Sequence, residues 1–160
     1  MLTIALITSI LYLAPSPTRE VVLSPEKEEG WPVGSAMQVG LAHKKRTDVL
    51  NKAISARGAE LIELIKEDVE EPDAQIQEAL NTEQLEWFRY RDASCELVGA
   101  ATGAGGSWPS TYGAECRVII SQRRLALLEA CITELRQMEP KNRQWQVAKC
   151  IGMQDVLSTE

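Results

Sequence analysis

The chain has 160 residues, of which 44% are apolar and 25% are charged, so it has the composition of one folded domain and is not wholly disordered. Its formal net charge of −6 argues against nucleic acid or an anionic membrane as the main partner. Aromatic residues make up only 5% of the chain, fewer than a β-sandwich or barrel commonly uses, which favours a helical fold.

The N-terminal segment is apolar, and residues 1–13 read MLTIALITSILYL. A helix needs about 20 residues to cross a bilayer, so this run is too short for a membrane span. A short apolar run at the N-terminus is typical of a secretory signal peptide, and we predict one over residues 1–14. The alternative is an N-terminal strand or helix that packs on the core.

Residues 15–38 are rich in proline and predict an irregular N-terminal arm, which leaves residues 39–160 for a helical domain. The arm contains four of the seven prolines: Pro15, Pro17, Pro25 and Pro32. Proline at this density disfavours both a helix and a central strand.

Apolar residues at helical spacing predict the first two helices. The first covers residues 39–71, and its apolar stripe consists of Leu50, Ile54, Leu61, Ile65 and Val69. Pro72 ends it. The second covers residues 74–98, and one of its faces carries Ile76, Leu80, Trp87, Cys95 and Val98. Gly99 is a natural stop for this helix.

Residues 99–113 hold five of the ten glycines and predict a flexible loop. A third helix is expected over residues 114–138, where the apolar positions are Val118, Leu125, Leu128, Ile132 and Leu135. Pro140 breaks it, and residues 142–149 predict a short fourth helix. Three long helices with short connections indicate an all-α antiparallel bundle with a short C-terminal helix.

The chain has an even number of cysteines: Cys95, Cys116, Cys131 and Cys150. None belongs to a C-x-x-C pair, so disulfides are favoured over a zinc site or thioredoxin-like chemistry. Disulfides persist in oxidising compartments. Together with the predicted signal peptide, they indicate a periplasmic or secreted protein.

The predicted turns between the helices select one of the three possible disulfide connectivities. Cys95 and Cys116 each lie about one turn from the glycine-rich loop, so they are at similar heights on neighbouring antiparallel helices. Cys131 and Cys150 are matched in the same way across Pro140. We therefore predict the pairs Cys95–Cys116 and Cys131–Cys150, each worth roughly 3 kcal/mol in the chain-entropy model.

The most informative motif lies in residues 80–95, which read LNTEQLEWFRYRDASC. This stretch resembles the hallmark of the LprI-like lysozyme inhibitor family, L-x-x-x-Q-x-x-W-x-x-[YF]-R-D-x-x-C. Its positions in this chain are Leu80, Gln84, Trp87, Tyr90, Arg91, Asp92 and Cys95.

Other elements that resemble the family occur in the family's order, so the resemblance covers residues 48–128. They are Leu50 and Asn51 (the LN element, after Asp48), Gly105, Gly106 and Ser107 (a Gly-Gly-Ser loop), Cys116, and Ser121, Arg124 and Leu128 (the closing T-x-x-R-x-x-x-L). The chain departs from the family at Gly40, near which the family usually has a cysteine. Cys131 and Cys150 lie outside the shared region, so the family's disulfide arrangement cannot be copied whole.

The motif also has a physical interpretation that needs no family. Leu80, Trp87, Arg91 and Cys95 are spaced by seven, four and four residues, so they share one helix face. An arginine on such a face is partly buried and must find acceptors, for which Asn51, Asp48 or loop carbonyls are candidates. We therefore interpret Gln84, Trp87 and Arg91 as structural residues that clamp the helices and the loop. Arg124 is interpreted in the same way. The alternative is direct contact with a ligand.

The sequence does not favour an enzyme, a metal site or a cofactor. The one histidine, His43, leaves little material for a histidine metal site or a Ser-His-Asp triad. Ser107 is not part of a G-x-S-x-G elbow, and residues 103–106 lack the Lys-Ser/Thr of a phosphate loop. The carboxylates form runs typical of a solvated helix face, with no pair in an apolar setting.

The resemblance implies a protein that blocks lysozyme without covalent chemistry and so shields bacterial peptidoglycan. Many lysozymes are cationic around their cleft, so an acidic surface would steer the encounter. The segment 60–86 is strongly acidic, and the glycine-rich loop carries aromatic residues that are suited to anchoring a partner. The partner-binding candidates are Glu67, Glu70, Glu71, Gly105, Gly106, Ser107, Trp108 and Tyr112.

Two alternatives to lysozyme inhibition are open at this point. One is an envelope module that binds another protein or a cell-wall component. The other is a small periplasmic hydrolase. A structural alternative also exists for the candidate surface: the acidic run is then only a solvated face, and the loop only connects two helices.

Overall fold

The computed structural model describes residues 30–66 and 74–152, and these residues form four α-helices and no strand. The helices are α1 (Ala36–Lys66), α2 (Ala74–Ala101), α3 (Trp108–Arg136) and α4 (Pro140–Gly152). The predicted all-α fold with three long helices and a short C-terminal one is confirmed. The predicted signal peptide, residues 15–29 of the predicted arm, and Val69 lie outside the described residues.

α1 begins at Ala36 rather than at Val39 because the residues before it form a cap. The Ser35 hydroxyl accepts a hydrogen bond from the Gln38 backbone N–H at 3.3 Å. In return, the Gln38 side-chain oxygen accepts one from the Gly34 N–H at 2.6 Å. This exchange resembles a capping box and satisfies donors that the first helical turn leaves without partners.

α2 continues to Ala101, so the prediction that Gly99 stops this helix is wrong. Gly99 is a buried residue of the helix, where an added Cβ would overlap the Pro109 carbonyl oxygen. The absence of a side chain therefore lets the start of α3 approach α2 closely. Val98 was expected on the buried face but is 48% exposed.

α3 begins at Trp108, so the flexible loop predicted over residues 99–113 is reduced to residues 102–107. Pro109 lies in the first turn of α3. Proline is favoured there because its missing N–H would have no partner inside the helix and its φ is already helical. The short loop turns with left-handed glycines at Gly103 and Gly106, both at φ 63°.

α3 is the central helix of the bundle. It packs against α1 and α2 along much of its length, whereas α1 and α2 contact each other at few positions. The apolar core lies towards the C-terminal ends of α1 and α3, where α4 covers them. It consists of Ile54, Leu61, Leu64, Ile65, Leu128, Cys131, Ile132, Leu135, Val147 and Cys150.

Both predicted disulfides are present. Cys95–Cys116 joins α2 to α3, and Cys131–Cys150 joins α3 to α4, with a Cα–Cα distance of 5.5 Å in each. Next to the loop, α2 continues three residues past its predicted end and α3 begins six residues before its predicted start, although α3 stops at Arg136 rather than at Met138. The first pair of cysteines therefore remains at matched heights, as the sequence reasoning required.

α4 is fixed at the end of the bundle by a buried arginine. Arg143 donates from Nε to the Leu135 carbonyl at 3.0 Å and from Nη1 to the Leu64 carbonyl at 3.2 Å. The last carbonyl groups of a helix have no hydrogen-bond donor within that helix. The Arg143 guanidinium donates to one such carbonyl group of α1 and one of α3, and so links the ends of the two helices. No helix in the described part of the chain is long and apolar enough to span a membrane.

Candidate functional site

Arg91 is the centre of the site because its side chain joins all three long helices. It is only 2% exposed. Its Nη1 donates to the side-chain oxygen of Asn51 on α1 at 2.6 Å and to the hydroxyl of Ser121 on α3 at 2.9 Å. Its Nε and Nη2 donate to Asp92 Oδ1 at 3.0 and 2.8 Å. The buried charge is therefore both paired and hydrogen-bonded, as burial requires.

Aromatic rings surround the same guanidinium. The Arg91 Cζ lies 5.4 Å from the centroid of the Trp87 ring and 5.0 Å from that of Phe88. The Arg124 Cζ lies 5.3 Å from the Trp87 ring, so two arginines contact one indole. Cation–π attraction is strongest over tryptophan and in partly desolvated positions such as this one.

Two further contacts of α2 come from Gln84 of the motif and from its neighbour Glu83. Glu83 accepts a hydrogen bond from the buried Arg124 of α3. Gln84 lies directly over Gly58 of α1, so that an added Cβ at Gly58 would overlap the Gln84 amide. These contacts hold α2 against both of its neighbours, although α1 and α2 share few other contacts.

The structure brings most of the predicted motif residues together. We call the group formed by Asn51, Trp87, Arg91, Asp92, Ser121 and Arg124 the motif cluster. Leu128 belongs to the apolar core, and Leu80 packs against it. Leu50 is half-buried on α1. The arrangement supports a structural role for the cluster, and a substitution at Arg91 tests that role.

Sequence reasoning anticipated one acceptor of Arg91 and missed the others. Asn51 accepts as expected, whereas Asp48 does not contact Arg91 and lines a nearby pocket instead. Asp92 and Ser121 were named only as family positions. The adjacent residues Arg91 and Asp92 do not reveal in the sequence that Asp92 also contacts a distant residue. Asp92 Oδ1 also accepts a hydrogen bond from Nε of Arg117, 25 residues away, at 3.2 Å.

A pocket of about 410 Å³ lies beside the motif cluster. Its walls come from the first half of α1 and the first three turns of α3, together with Asp92 of α2. The lining residues are Ala36, Met37, Gly40, Leu41, Lys44, Thr47, Asp48, Asn51, Asp92, Ser110, Thr111, Ala114 and Arg117. Its volume is within the range of small-molecule sites, roughly 300–1,000 Å³. The sequence did not predict this pocket.

The predicted aromatic anchors lie on α3 rather than in the loop. Trp108 and Tyr112 are one helical turn apart, and their ring centroids are 5.8 Å from each other. They are 40% and 39% exposed. Gly105, Gly106 and Ser107 precede them directly in the chain. We call Trp108 and Tyr112 the aromatic pair.

The acidic segment 60–86 contains carboxylates that the structure describes and others that lie outside the described residues. Glu67, Glu70 and Glu71 lie outside the described residues. Most of the described carboxylates between Glu60 and Glu86 form ion pairs within the chain. The pairs are Glu60–Arg57, Glu60–Arg136, Glu63–Lys66, Glu83–Arg124 and Glu86–Arg89. The described part of this segment is therefore largely neutralised.

The chemistry available for a metal or a covalent reaction is limited in the part of the chain that the structure describes. All four cysteines are in disulfides. No group of three His, Cys, Asp or Glu side chains in residues 30–66 and 74–152 is placed to hold a metal ion. The pocket and the aromatic pair can contact a partner through hydrogen bonds and apolar packing.

A comparison with protein families gives one match. The family model described as Lysozyme inhibitor LprI matches residues 33–128. The match includes α1, α2, the motif cluster, the pocket and the aromatic pair, and it ends before Cys131 and α4. No curated protein and no solved structure matches the chain.

Proposed function

Because the chain belongs to the LprI lysozyme inhibitor family, we propose that it is an exported, non-catalytic protein that binds a lysozyme and blocks it. By doing so it protects bacterial peptidoglycan from hydrolysis. The family match covers more than half of the chain, including α1, α2 and α3 as far as Leu128, and it supports this proposal.

The aromatic pair is the observation that supports a specific binding surface. Trp108 and Tyr112 are large, partly exposed and fixed on a helix, whereas side chains on a mobile loop would lose conformational entropy on binding. The Cys95–Cys116 disulfide ties this part of α3 to α2. Tryptophan and tyrosine dominate the energetic centres of protein interfaces. We infer that the aromatic pair and residues 105–107 contact the lysozyme.

Charge supplies the second element of the proposal. Glu67, Glu70 and Glu71 add negative charge between α1 and α2, and the chain as a whole carries −6. A cationic lysozyme would be attracted to this negative charge, which raises the association rate more than the final affinity. Because surface charges are screened by salt, this contribution should decrease as the ionic strength rises.

Export is supported by two features of the chain. Two disulfides staple the helices, and disulfides persist outside the reducing cytosol. The apolar run of residues 1–13 has the length of the apolar core of a signal peptide. We therefore place the protein in the periplasm or outside the cell, where lysozymes act.

A turbidity assay tests the proposed function. Purified mature protein is added in increasing amounts to a lysozyme that clears a suspension of bacterial cell walls, with lysozymes of several classes. We expect slower clearing in proportion to the added protein. The protein without lysozyme is the control and should release no soluble fragments, since release would indicate a hydrolase. Unchanged clearing by every lysozyme at a molar excess of the protein would overturn the proposal.

A further inference from the structure

We propose that the pocket beside the motif cluster binds a neutral, N-acetylated saccharide. Neither member of the aromatic pair lines this pocket, and the proposal does not depend on lysozyme inhibition. It rests on which polar groups of the pocket are already used, on the balance of its charges, and on its division into a polar and an apolar end.

Several polar atoms in the pocket have no partner in the part of the chain that the structure describes. Asp92 accepts all its hydrogen bonds at Oδ1, which leaves Oδ2 available. Asn51 uses its oxygen for Arg91, which leaves its amide N–H groups available. Lys44 and Asp48 form no ion pair within the described residues, although both line the pocket. The pocket thus offers two acceptors and two donors.

The charges that line the pocket cancel. Among the lining residues, Lys44 and Arg117 oppose Asp48 and Asp92. The further positive charge of Arg91, which pairs with Asp92, is offset by Glu96, which pairs with Arg117. A balanced lining gives no net attraction to either an anion or a cation. It does suit hydroxyl groups, because each hydroxyl donates to a carboxylate and accepts from an amide or ammonium group. A saccharide carries several such hydroxyls on one face.

The wall that α1 contributes to the pocket is apolar over its first turns and becomes polar from Lys44 onwards. Met37 and Leu41 line the apolar part, Gly40 adds no bulk there, and Ala114 of α3 lines the pocket as well. An N-acetyl methyl group and the C–H face of a sugar ring would be removed from water against this surface, which is favourable. The division into a polar and an apolar end therefore favours an N-acetylated sugar over a plain hexose.

The walls of the pocket are held in position before any ligand arrives. Thr111 donates its hydroxyl to the Ala36 carbonyl at 2.7 Å and so joins α3 to the start of α1. Thr47 donates to the His43 carbonyl at 3.0 Å. Arg91 orients Asn51 and Asp92. Groups that are fixed in advance lose little entropy on binding, which raises affinity.

Binding is measured by NMR with the full chain and the β-1,4-linked trimer of N-acetylglucosamine, with no lysozyme present. We expect saturable shifts at residues 37–51 and 110–117. A glucose trimer should bind at least tenfold more weakly because it lacks the N-acetyl groups. Shifts that fall elsewhere on the chain, no shifts at all, or equal affinity for both trimers would overturn the proposal.

Variants separate the pocket from the rest of the surface. Asp48→Ala and Lys44→Ala should each weaken binding of the N-acetylglucosamine trimer at least tenfold, and Ala114→Leu should block the apolar end. Glu63→Ala removes an exposed carboxylate of the same helix outside the pocket and should leave binding unchanged. Full affinity in the three pocket variants would contradict the assignment. A chain that binds the trimer but inhibits no lysozyme contradicts only the function proposed above, and the reverse result contradicts only this site.

Discussion

Arg91 donates a hydrogen bond of 2.6 Å to the side chain of Asn51, which is 40 residues away in the sequence. The bond crosses from α2 to α1, two helices that otherwise contact each other at few positions. Both residues belong to family elements that are far apart in the chain. The Arg91–Asn51 pair therefore links the two elements in this chain: one supplies the buried cation and the other an acceptor that it needs.

Replacing Arg91 by alanine should lower the free energy of unfolding by roughly 2–4 kcal/mol, the range for removing one partner of a buried charged network. The substitution removes the Arg91 hydrogen bonds to Asn51, Ser121 and Asp92. It also removes the cation beside the Phe88 ring and one of the two beside the Trp87 ring. Chemical denaturation measures the change.

Arg89→Ala is the matched control for Arg91→Ala. Arg89 is exposed and pairs only with Glu86 in the described chain, so its loss should cost less than about 1 kcal/mol. An Arg91→Ala variant that unfolds like the wild type but no longer inhibits lysozyme would show that Arg91 contacts the ligand, contrary to the structural interpretation.

Helical periodicity predicted the number and order of the helices because it depends on the buried stripes. Ile54, Leu61 and Ile65 of α1 and Leu128 and Leu135 of α3 are all buried as expected. The same signal failed at the start of α3. Its first turns pack through Thr111 and Gly113, which are small or polar and give no apolar period.

The pocket was not predictable from the sequence for a related reason. Its walls come from three separate segments. Some of the lining residues, such as Gly40 and Ala114, leave space because they have little or no side chain, and small residues of this kind form no recognisable pattern in the sequence. The motif did point to Asn51 and Asp92. It could not show that both residues bind Arg91 and also line the pocket, since that depends on the distances between helices.

Gly99→Ala should destabilise the protein by about 1–3 kcal/mol, the usual cost of overpacking. The added Cβ would overlap the Pro109 carbonyl oxygen, and backbone cannot move aside as a flexible side chain can. Gly105→Ala is the control: nothing lies within 4 Å of its Cβ position, so the change should stay within about 0.5 kcal/mol. Thermal melts of both variants make the comparison, and equal stability would contradict the close approach of α2 and α3.

Removing the Cys131–Cys150 disulfide should cost roughly 3 kcal/mol in the chain-entropy model, because the two cysteines close a short loop. A variant with both cysteines replaced by alanine should expose α4 to hydrogen exchange first. The motif cluster, which lies in the family-matched region, should stay protected. Peptide mapping without reductant checks the pairing itself, and a Cys95–Cys131 crosslink would show that the helix register is wrong.

Charge reversal at Glu67, Glu70 and Glu71 should slow the association with a cationic lysozyme and reduce the salt dependence of inhibition. These residues lie in the segment between α1 and α2, and their carboxylates supply the proposed steering. Stopped-flow association rates at low and high salt measure the effect. Unchanged rates at low salt would place the steering charges elsewhere on the chain.

Trp108→Ala and Tyr112→Ala should each weaken lysozyme inhibition by at least tenfold, or about 1.4 kcal/mol, because truncation of an aromatic anchor at an interface typically costs that much or more. Both side chains are partly exposed, so their removal should change the melting temperature little. Tyr90→Ala is the matched control, since Tyr90 is an exposed aromatic residue of α2 away from the aromatic pair. If the Tyr90 variant loses inhibition and the other two retain it, the lysozyme binds the outer face of α2 instead.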